Sequence, residues 1–387
     1  MVDITLDDVH VGFTTEQGDE RVAALDGLTL HVRSGELLTL VGPSGSGKST
    51  VLRTIAGLET PRSGTVAIDG TVVNKASVRD RDVALVAQYD TLLPHLTVED
   101  NLGFPLRLRR VSAEETSRRV GAEARTLGLW AKLRRRPRQL STGERQKAAL
   151  GRATTRRPRA YLFDEPLAGL DAGERGRVRR ELRQLQRGMG VTSIYVTHDQ
   201  RDAMALGDRV AVMSRGRVVQ VDEPMRVWSS PANLFVARFF GNPPLGVLQG
   251  RLHDDGTTAW VDVAGTALRL HPDQRRTVLR RRTGPRIAVG VRAAAVRLVG
   301  DEPTAGDPWL RRLPVTVSAV EPLGASTVVA AHPSGAAETA GVVYTTIAPT
   351  RSVRRGEQAT AEIDLRESFV FDVTTGERLL PDLVSST

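Results

Sequence analysis

The stretch GPSGSGKST, Gly42 to Thr50, decides how this chain reads. It fits G-x-x-x-x-G-K-[ST] in full, with Gly42, Gly47, Lys48 and Ser49 at the fixed positions. Glycines let successive backbone N–H groups turn inward on an anion at the start of the following helix. Pro43, Ser44, Gly45, Ser46 and Thr50 complete such a loop. Lys48 then reaches the β- and γ-phosphates of a nucleotide, and Ser49 holds Mg²⁺. The flanks agree: GELLTLV (Gly35 to Val41) reads as a buried strand, and STVLRTIAGL (Ser49 to Leu58) has helical apolar spacing. Strand, glycine loop, helix is the order that phosphate binding needs.

Composition makes the lysine more telling. Of 54 Lys plus Arg residues, only Lys48, Lys75, Lys132 and Lys147 are lysine. A flexible point charge suits a phosphate pocket where the planar arginine fork does not.

At 387 residues the chain is long enough for two or three domains. The net charge of +9 is spread along the chain as arginine, so nucleic acid is not indicated as a partner. No stretch approaches the roughly 20 apolar residues of a spanning helix, and MVDITLDDVHV is an acidic strand pattern and not a leader. The protein is expected to be cytoplasmic, with any membrane reached through a partner. Without cysteine there is no disulfide, thiolate metal site or cysteine nucleophile.

Val2 to Val11 and Ala24 to Val32 alternate apolar and polar residues, as half-buried antiparallel strands do. Phe13, ending the first of them, is placed to stack on an adenine ring; an ordinary core or surface phenylalanine fits the pattern equally well. From about 96 to 157 the pattern is helical and densely charged, and it includes a capping box at Ser112 and Glu115. AYLFDEP (Ala160 to Pro166) is an apolar strand closing in two acids, and SIYVTHDQ (Ser193 to Gln200) is a buried strand ending in a histidine. A parallel sheet offers ligands at the carboxyl ends of its strands. Here those ends carry the glycine loop, Gln88, Asp164 with Glu165, and His198. Asp164 is the candidate Mg²⁺ ligand through water, Glu165 the candidate base for an attacking water, and His198 a candidate γ-phosphate contact. After Asn242, Pro243 and Pro244 the texture changes to short alternating strands, as in TAWVDVAG and RIAVGVR. The domain expectation is therefore an α/β nucleotide-binding domain over 1–241 and a β-barrel domain over 242–387.

These residues together resemble the ATP-binding cassette (ABC) ATPases. The resemblance rests on GPSGSGKST as Walker A, Gln88 as the Q-loop glutamine and LSTGERQ (Leu140 to Gln146) as the signature. It continues with YLFDEP as Walker B, AGLD (Ala168 to Asp171) as the D-loop and VTHDQ as the switch histidine. It implies a RecA-like P-loop core with antiparallel and helical subdomains, followed by an all-β OB/TOBE-like barrel. It also implies ATP and Mg²⁺ as cofactors, with Gln88 as a further metal contact. In such ATPases two subunits face head to tail, which implies that Ser141 and Gly143 act on nucleotide across the interface, with Asp171 of the D-loop as a further nucleotide-binding residue; homodimer pairing is the expectation. The text around PHLTVEDNLGFPL and PANLFVARFFG is similar to the ATPase subunits of importers for sugars and related solutes. That implies two transmembrane permease subunits and an extracytoplasmic solute-binding protein as partners. Importers of polyamines, metals or anions share much of this text, and a soluble ABC ATPase acting on nucleic acid is a distant alternative. Departures stand out: Thr142 replaces the usual signature glycine, Glu144 the usual glutamine and Ala168 the usual D-loop serine. Thr142 and Glu144 are expected to weaken closure of the dimer.

Overall fold

The computed structural model describes residues 2–14, 21–86, 92–300, 307, 309–336 and 340–380. The chain divides into compact units at 1–225 and 226–387. In the first unit β1 (Ile4–Thr14), β2 (Arg21–Val32), β3 (Leu37–Val41) and α1 (Lys48–Ala56) are followed by β4 (Ser63–Ile68), β5 (Thr71–Val72) and β6 (Val83–Val86). Three helices come next: α2 (Val98–Leu108), α3 (Ala113–Thr126) and α4 (Thr142–Thr154). Then β7 (Ala160–Asp164), α5 (Ala172–Met189), β8 (Thr192–Thr197), α6 (Gln200–Leu206), β9 (Arg209–Ser214) and β10 (Arg217–Asp222) complete it.

Two sheets result. One is antiparallel, in the order β2-β1-β4-β5; the other runs β10-β9-β3-β8-β7-β6 and is parallel except for β10. The strands of the parallel sheet are short and apolar on both faces because both faces are covered. Leu38, Leu40, Ile194 and Val196 face one way and join Val51, Leu52 and Ile55 of α1 and the inward residues of the antiparallel sheet in one core. Tyr161, Phe163 and Tyr195 face the other way, against Val178 and Leu182 of α5. Helix α1 is thus held between two sheets. Helices α2 and α3 and the middle of α4 pack around Val98, Leu102, Val120 and Ala148, a core of their own within the expected helical region.

The division at 225 lies ahead of the boundary expected at 241, and packing gives the reason. Helix α7 (Pro224–Ser229) straddles it, and α8 (Leu234–Phe239) belongs to the second core, where Ala237 meets Leu245, Val247 and Phe371. The apolar spacing of PANLFVARFFG identifies a helix but not the surface that it covers.

The second unit is antiparallel: β11 (Gly246–Asp254), β12 (Ala259–Val263), β13 (Thr266–Arg269), β14 (Arg286–Val291), β15 (Val296–Val299), β16 (Leu310–Pro322), β17 (Thr327–Pro333), β18 (Gly341–Ile347), β19 (Gln358–Asp364) and β20 (Ser368–Asp372). Strand pairing runs β13-β12-β11-β18-β17-β16-β19-β15, with β14 joining β11 to β20. Helix α9 (Pro272–Arg281) interrupts the otherwise all-β pattern. Among the described residues Val278 and Leu279 carry it onto the core, too few apolar positions to show through its arginines.

Because Ile55 is fully buried between the sheets, Ile55→Ala is expected to destabilise the protein by about 2–5 kcal/mol. Denaturant unfolding measures this; a loss below about 1 kcal/mol contradicts tight packing of α1.

Candidate active site

The glycine loop leaves β3 and enters α1, and close packing explains two of its glycines. A Cβ on Gly42 would lie 2.3 Å from the Met213 carbonyl oxygen, and one on Gly47 would lie 2.4 Å from that of Ala24. Gly47 also has φ 99°, which only glycine adopts readily. The turn is closed by the Ser46 N–H donating to the Pro43 carbonyl (3.2 Å) and by the Gly216 N–H donating to the Ser46 carbonyl (3.1 Å). Pro43, Ser44 and Gly45 are exposed at its tip, and Thr50 lies in the first turn of α1.

Lys48 is buried and folds over the loop. Its Nζ donates to the carbonyls of Gly42 (2.9 Å) and Pro43 (2.8 Å). Burial pushes its pKa down, and the charges of Glu165 and Asp164 push the other way. Ser49 Oγ donates to Asp164 Oδ1 at 2.9 Å, which ties the start of α1 to the end of β7. Burial raises the Asp164 pKa against the Ser49 hydrogen bond, and the nearby Glu165 raises it further.

Glu165 follows at φ 48°, a left-handed conformation that costs a non-glycine residue on the order of 1 kcal/mol. Its N–H donates to the Val196 carbonyl (3.1 Å) and its own carbonyl accepts from the Ala168 N–H (3.1 Å). The side chain meets His198, with Nδ1 at 2.9 Å from Glu165 Oε2. An ionised carboxylate only accepts, so Nδ1 carries the proton and Nε2 is the free acceptor. His198 is placed where β8 turns into α6, capped by Asp199 accepting from the N–H groups of Arg201 and Asp202.

Ser49, Asp164, Glu165 and His198 are therefore linked pairwise beside the loop. Gln88 lies outside the described residues. Phe13 is 43% exposed at the end of β1; Val11, two residues earlier, pairs with Leu25, whose Cδ2 lies 3.0 Å from the Cβ position of Gly47. Phe13 thus stands on the strand next to β2, whose Ala24 and Leu25 meet the loop, and its side chain is exposed among the described residues.

Ser141 and Gly143 share no hydrogen bond with residues 42–50 among the described residues; they open α4 elsewhere. Ser141 caps α4, accepting from the Glu144 N–H (3.2 Å), while Glu144 Oε2 accepts from the Ser141 N–H (3.0 Å). Gly143 is buried, and a Cβ there would lie 3.0 Å from Glu174 Oε1 on α5. Asp171 Oδ1 accepts from the Glu174 N–H at 2.9 Å, so its carboxylate caps α5. Thr142 is exposed, and its Oγ1 accepts from Arg145 at 3.1 Å.

Lys132 is the neighbour that sequence reading missed. It is hydrogen-bonded and ion-paired to Glu144, and this contact, followed by the Ser141 N–H, holds the Glu144 carboxyl below its ordinary pKa. The scarcity of lysine is a signal that could have found it.

A family model described as ABC transporter matches residues 25–168. The chain is similar to the trehalose/maltose import ATP-binding protein MalK of Thermococcus litoralis, at 41% identity over 92% of this chain and 96% of that protein. It is 44% identical to the sn-glycerol-3-phosphate import ATP-binding protein UgpC 1 of Rhizobium johnstonii, over 81% of this chain and 82% of that one. A solved ATP-binding cassette, dimeric and in a post-hydrolysis state bound to ADP and Pi, matches with a TM-score of 0.52 and 30% identity. It covers 57% of this chain and 98% of its own.

Glu144 has a lowered folded-state pKa, so its contact with Lys132 stabilises the fold above the ordinary carboxylate range and is lost as pH falls through and below that range. Lys132→Ala is expected to cost up to about 1 kcal/mol near neutral pH and nothing in acid. Thermal unfolding across pH checks this, and a pH-independent difference contradicts it. Similarity at this level along almost the whole chain, with the phosphate loop, strand-end acids and histidine brought together in the first unit, means that the chain belongs to the ABC transporter family as one of its ATP-binding proteins.

Proposed function

We propose that this chain is the ATP-hydrolysing subunit of an importer and that it drives uptake of a carbohydrate or related solute through partner membrane subunits. One observation carries the reading: the 41% identity with a trehalose/maltose import ATP-binding protein spans both units. The glycerol-phosphate import relatives support the same solute class. No helix among the described residues is long and apolar enough to cross a membrane, which agrees with a peripheral subunit that works through permease partners. The permeases, and an extracytoplasmic solute-binding protein feeding them, are part of the proposal, as are a peripheral place on the cytoplasmic face of the membrane and pairing with a second copy of this chain.

The residues suit Mg²⁺ with nucleotide. Ser49 and Asp164 offer a hydroxyl and a carboxylate oxygen 2.9 Å apart, and no cluster of three or more acidic, His or Cys ligands is present among the described residues. Magnesium is commonly held by one or two carboxylates together with substrate phosphates, so a sparse oxygen set fits. When bound it supplies charge neutralisation at the phosphates. Lys48 exchanges the carbonyls of Gly42 and Pro43 for phosphate oxygens, gaining charge-assisted hydrogen bonds. Water attacks the γ-phosphorus, the bond to the ADP oxygen breaks, and Glu165 takes the proton from the water. His198, oriented by its bond to Glu165, turns Nε2 to the γ-phosphate and donates to it in the form of the ring that carries both protons. Phe13 stacks on the adenine, and Ser141 and Gly143 at the N-terminus of α4 meet the γ-phosphate of the opposing subunit. Gln88 would be a further metal contact.

Glu165→Gln is expected to abolish turnover and preserve ATP binding, since the phosphate contacts remain; Lys48→Ala is expected to lose ATP affinity itself. Steady-state hydrolysis and nucleotide titration separate the two, and near-normal turnover by Glu165→Gln contradicts its role as base. In cells, deleting the chain is expected to abolish ATP-dependent uptake of one carbohydrate class, restored by the native chain and not by Glu165→Gln. Normal uptake of all carbohydrates after deletion rejects the solute assignment.

We also propose that the second unit is a regulatory domain dispensable for nucleotide binding. Residues 1–225, which have their own cores, are expected to unfold cooperatively and bind ATP when expressed alone. A fragment that is insoluble or blind to ATP contradicts this.

A further inference from the structure

Helix α5 carries Arg175, Arg179 and Arg183 one turn apart, and each meets an aspartate of the segment that follows β8. Like charges at this spacing repel one another, so the stripe needs counter-charges to hold. Arg183 pairs with Asp208 beyond α6, and Arg179 Nη1 donates to Asp202 Oδ1 at 3.2 Å. Arg175 does more than either. Its Nε donates to Asp202 Oδ2 at 3.0 Å, and its Nη1 lies 3.1 Å from Asp199 Oδ2. One planar guanidinium thus spans two carboxylates, a geometry suited to a fork of donors and not to a point charge. The backbone of Arg175 is fixed as well, its N–H donating to the Asp171 carbonyl at 2.8 Å.

The two aspartates differ in what they hold. Asp202 is fully buried, and a carboxylate in that position is sustained by paired, hydrogen-bonded cations. Asp199 holds the turn next to the reaction. Its Oδ1 accepts from the N–H groups of Arg201 (2.7 Å) and Asp202 (3.2 Å), and its own N–H donates to Thr197 Oγ1 at 2.9 Å. Its Oδ2 faces Arg175. These contacts hold the backbone on both sides of His198. The imidazole itself is 55% exposed and, among the described residues, has one hydrogen-bond partner, Glu165. A ring held at one point takes its direction from the turn that carries it. That turn is tied by Arg175 to α5, which Val178 and Leu182 seat in the core.

We propose that Arg175 is a positioning residue for ATP hydrolysis: by holding the Asp199 carboxylate against α5, it fixes the turn that aims His198 at the γ-phosphate. The inference rests on the role proposed above for His198. Arg175 meets no reacting atom; its effect is on placement, to which a chemical step is sensitive at the scale of an ångström.

Steady-state hydrolysis by the full chain tests this with two substitutions that break one contact from opposite sides. Asp199→Asn keeps an oxygen for the cap on α6 and takes the carboxylate away from Arg175. Arg175→Gln removes the fork. Each is expected to lower kcat about tenfold or more and to leave KM for ATP within about twofold, because the phosphate loop is untouched. Arg179→Gln is the control for packing, since it removes a partner of the buried Asp202 without touching Asp199. Its melting temperature is expected to fall while kcat stays within about twofold of native. Nitrogen NMR of the chain labelled at histidine gives a readout independent of turnover, with the His198 signal assigned by its loss in His198→Ala. That signal is expected to report a ring protonated at Nδ1 in the native chain and in Arg179→Gln, and to shift in Asp199→Asn.

Native kcat in Asp199→Asn overturns the proposal, and this variant decides the matter if Arg175→Gln does not fold. An unshifted His198 signal in Asp199→Asn overturns it too, as does an equal loss of kcat in Arg179→Gln, which assigns the effect to packing around Asp202. His198→Ala separates this inference from the reading beneath it. Native turnover in that variant rejects the histidine's role, whereas turnover lost there and kept in the Arg175 and Asp199 variants rejects only the positioning by Arg175.

Discussion

The register of three parallel strands is the constraint on which the active site depends. β3 and β7 both hydrogen-bond to β8, so two strand spacings, roughly 10 Å, separate the strand that feeds the glycine loop from the one that ends in acids. Val41 pairs with Thr197, and Asp164 with Val196, so all three strands end at nearly one level. Helix α1 spans the gap through Ser49 and Asp164, and the middle strand delivers His198 to Glu165. A slip of one residue in any strand would turn its side chains to the other face. The two-sided burial of this sheet is what prevents the slip: Leu40 and Val196 face α1, while Tyr161 and Tyr195 face α5.

Much of this was legible because it is local. Glycine spacing, an apolar strand before it and an amphipathic helix after it are written within a few residues of one another. The strand-end acids and histidine were readable for the same reason, each ending a short apolar run. What could not be read was long-range packing. Gly42 answers to Met213, far away in the chain, and the second core recruits α8 across the expected boundary. Helix α9 hides among arginines because two apolar residues suffice to seat it. Nor does the sequence show that the Asp171 carboxylate caps α5.

The signature shows how a departure from a family pattern is absorbed nearby. Glu144 in place of the usual glutamine adds a negative charge at the start of α4, where a helix dipole already favours one. Its two oxygens divide the work, one accepting from the Ser141 N–H and the other meeting Lys132. The expected weakening of closure by this charge is therefore opposed by a cation built into the same unit. Thr142 points its hydroxyl along the helix toward Arg145, and the glycine that is packed closely is its neighbour Gly143.

The same reasoning explains why the loop tolerates a lysine and a carboxylate in partial burial. Desolvation disfavours the charged forms of both, lowering the Lys48 pKa and raising that of Asp164. Neither effect is offset fully by their mutual attraction, because Lys48 is engaged with loop carbonyls and Asp164 with a neutral hydroxyl. Phosphate oxygens answer the first cost, and in the proposed function a divalent cation would answer the second, so the free energy of binding would be directed at groups that the fold has already positioned. The left-handed backbone of Glu165 belongs with them: it aims a carboxylate at His198 that an ordinary strand end would direct elsewhere. Stability is given up at these residues, and the apolar packing of α1 between two sheets supplies the surplus that permits it.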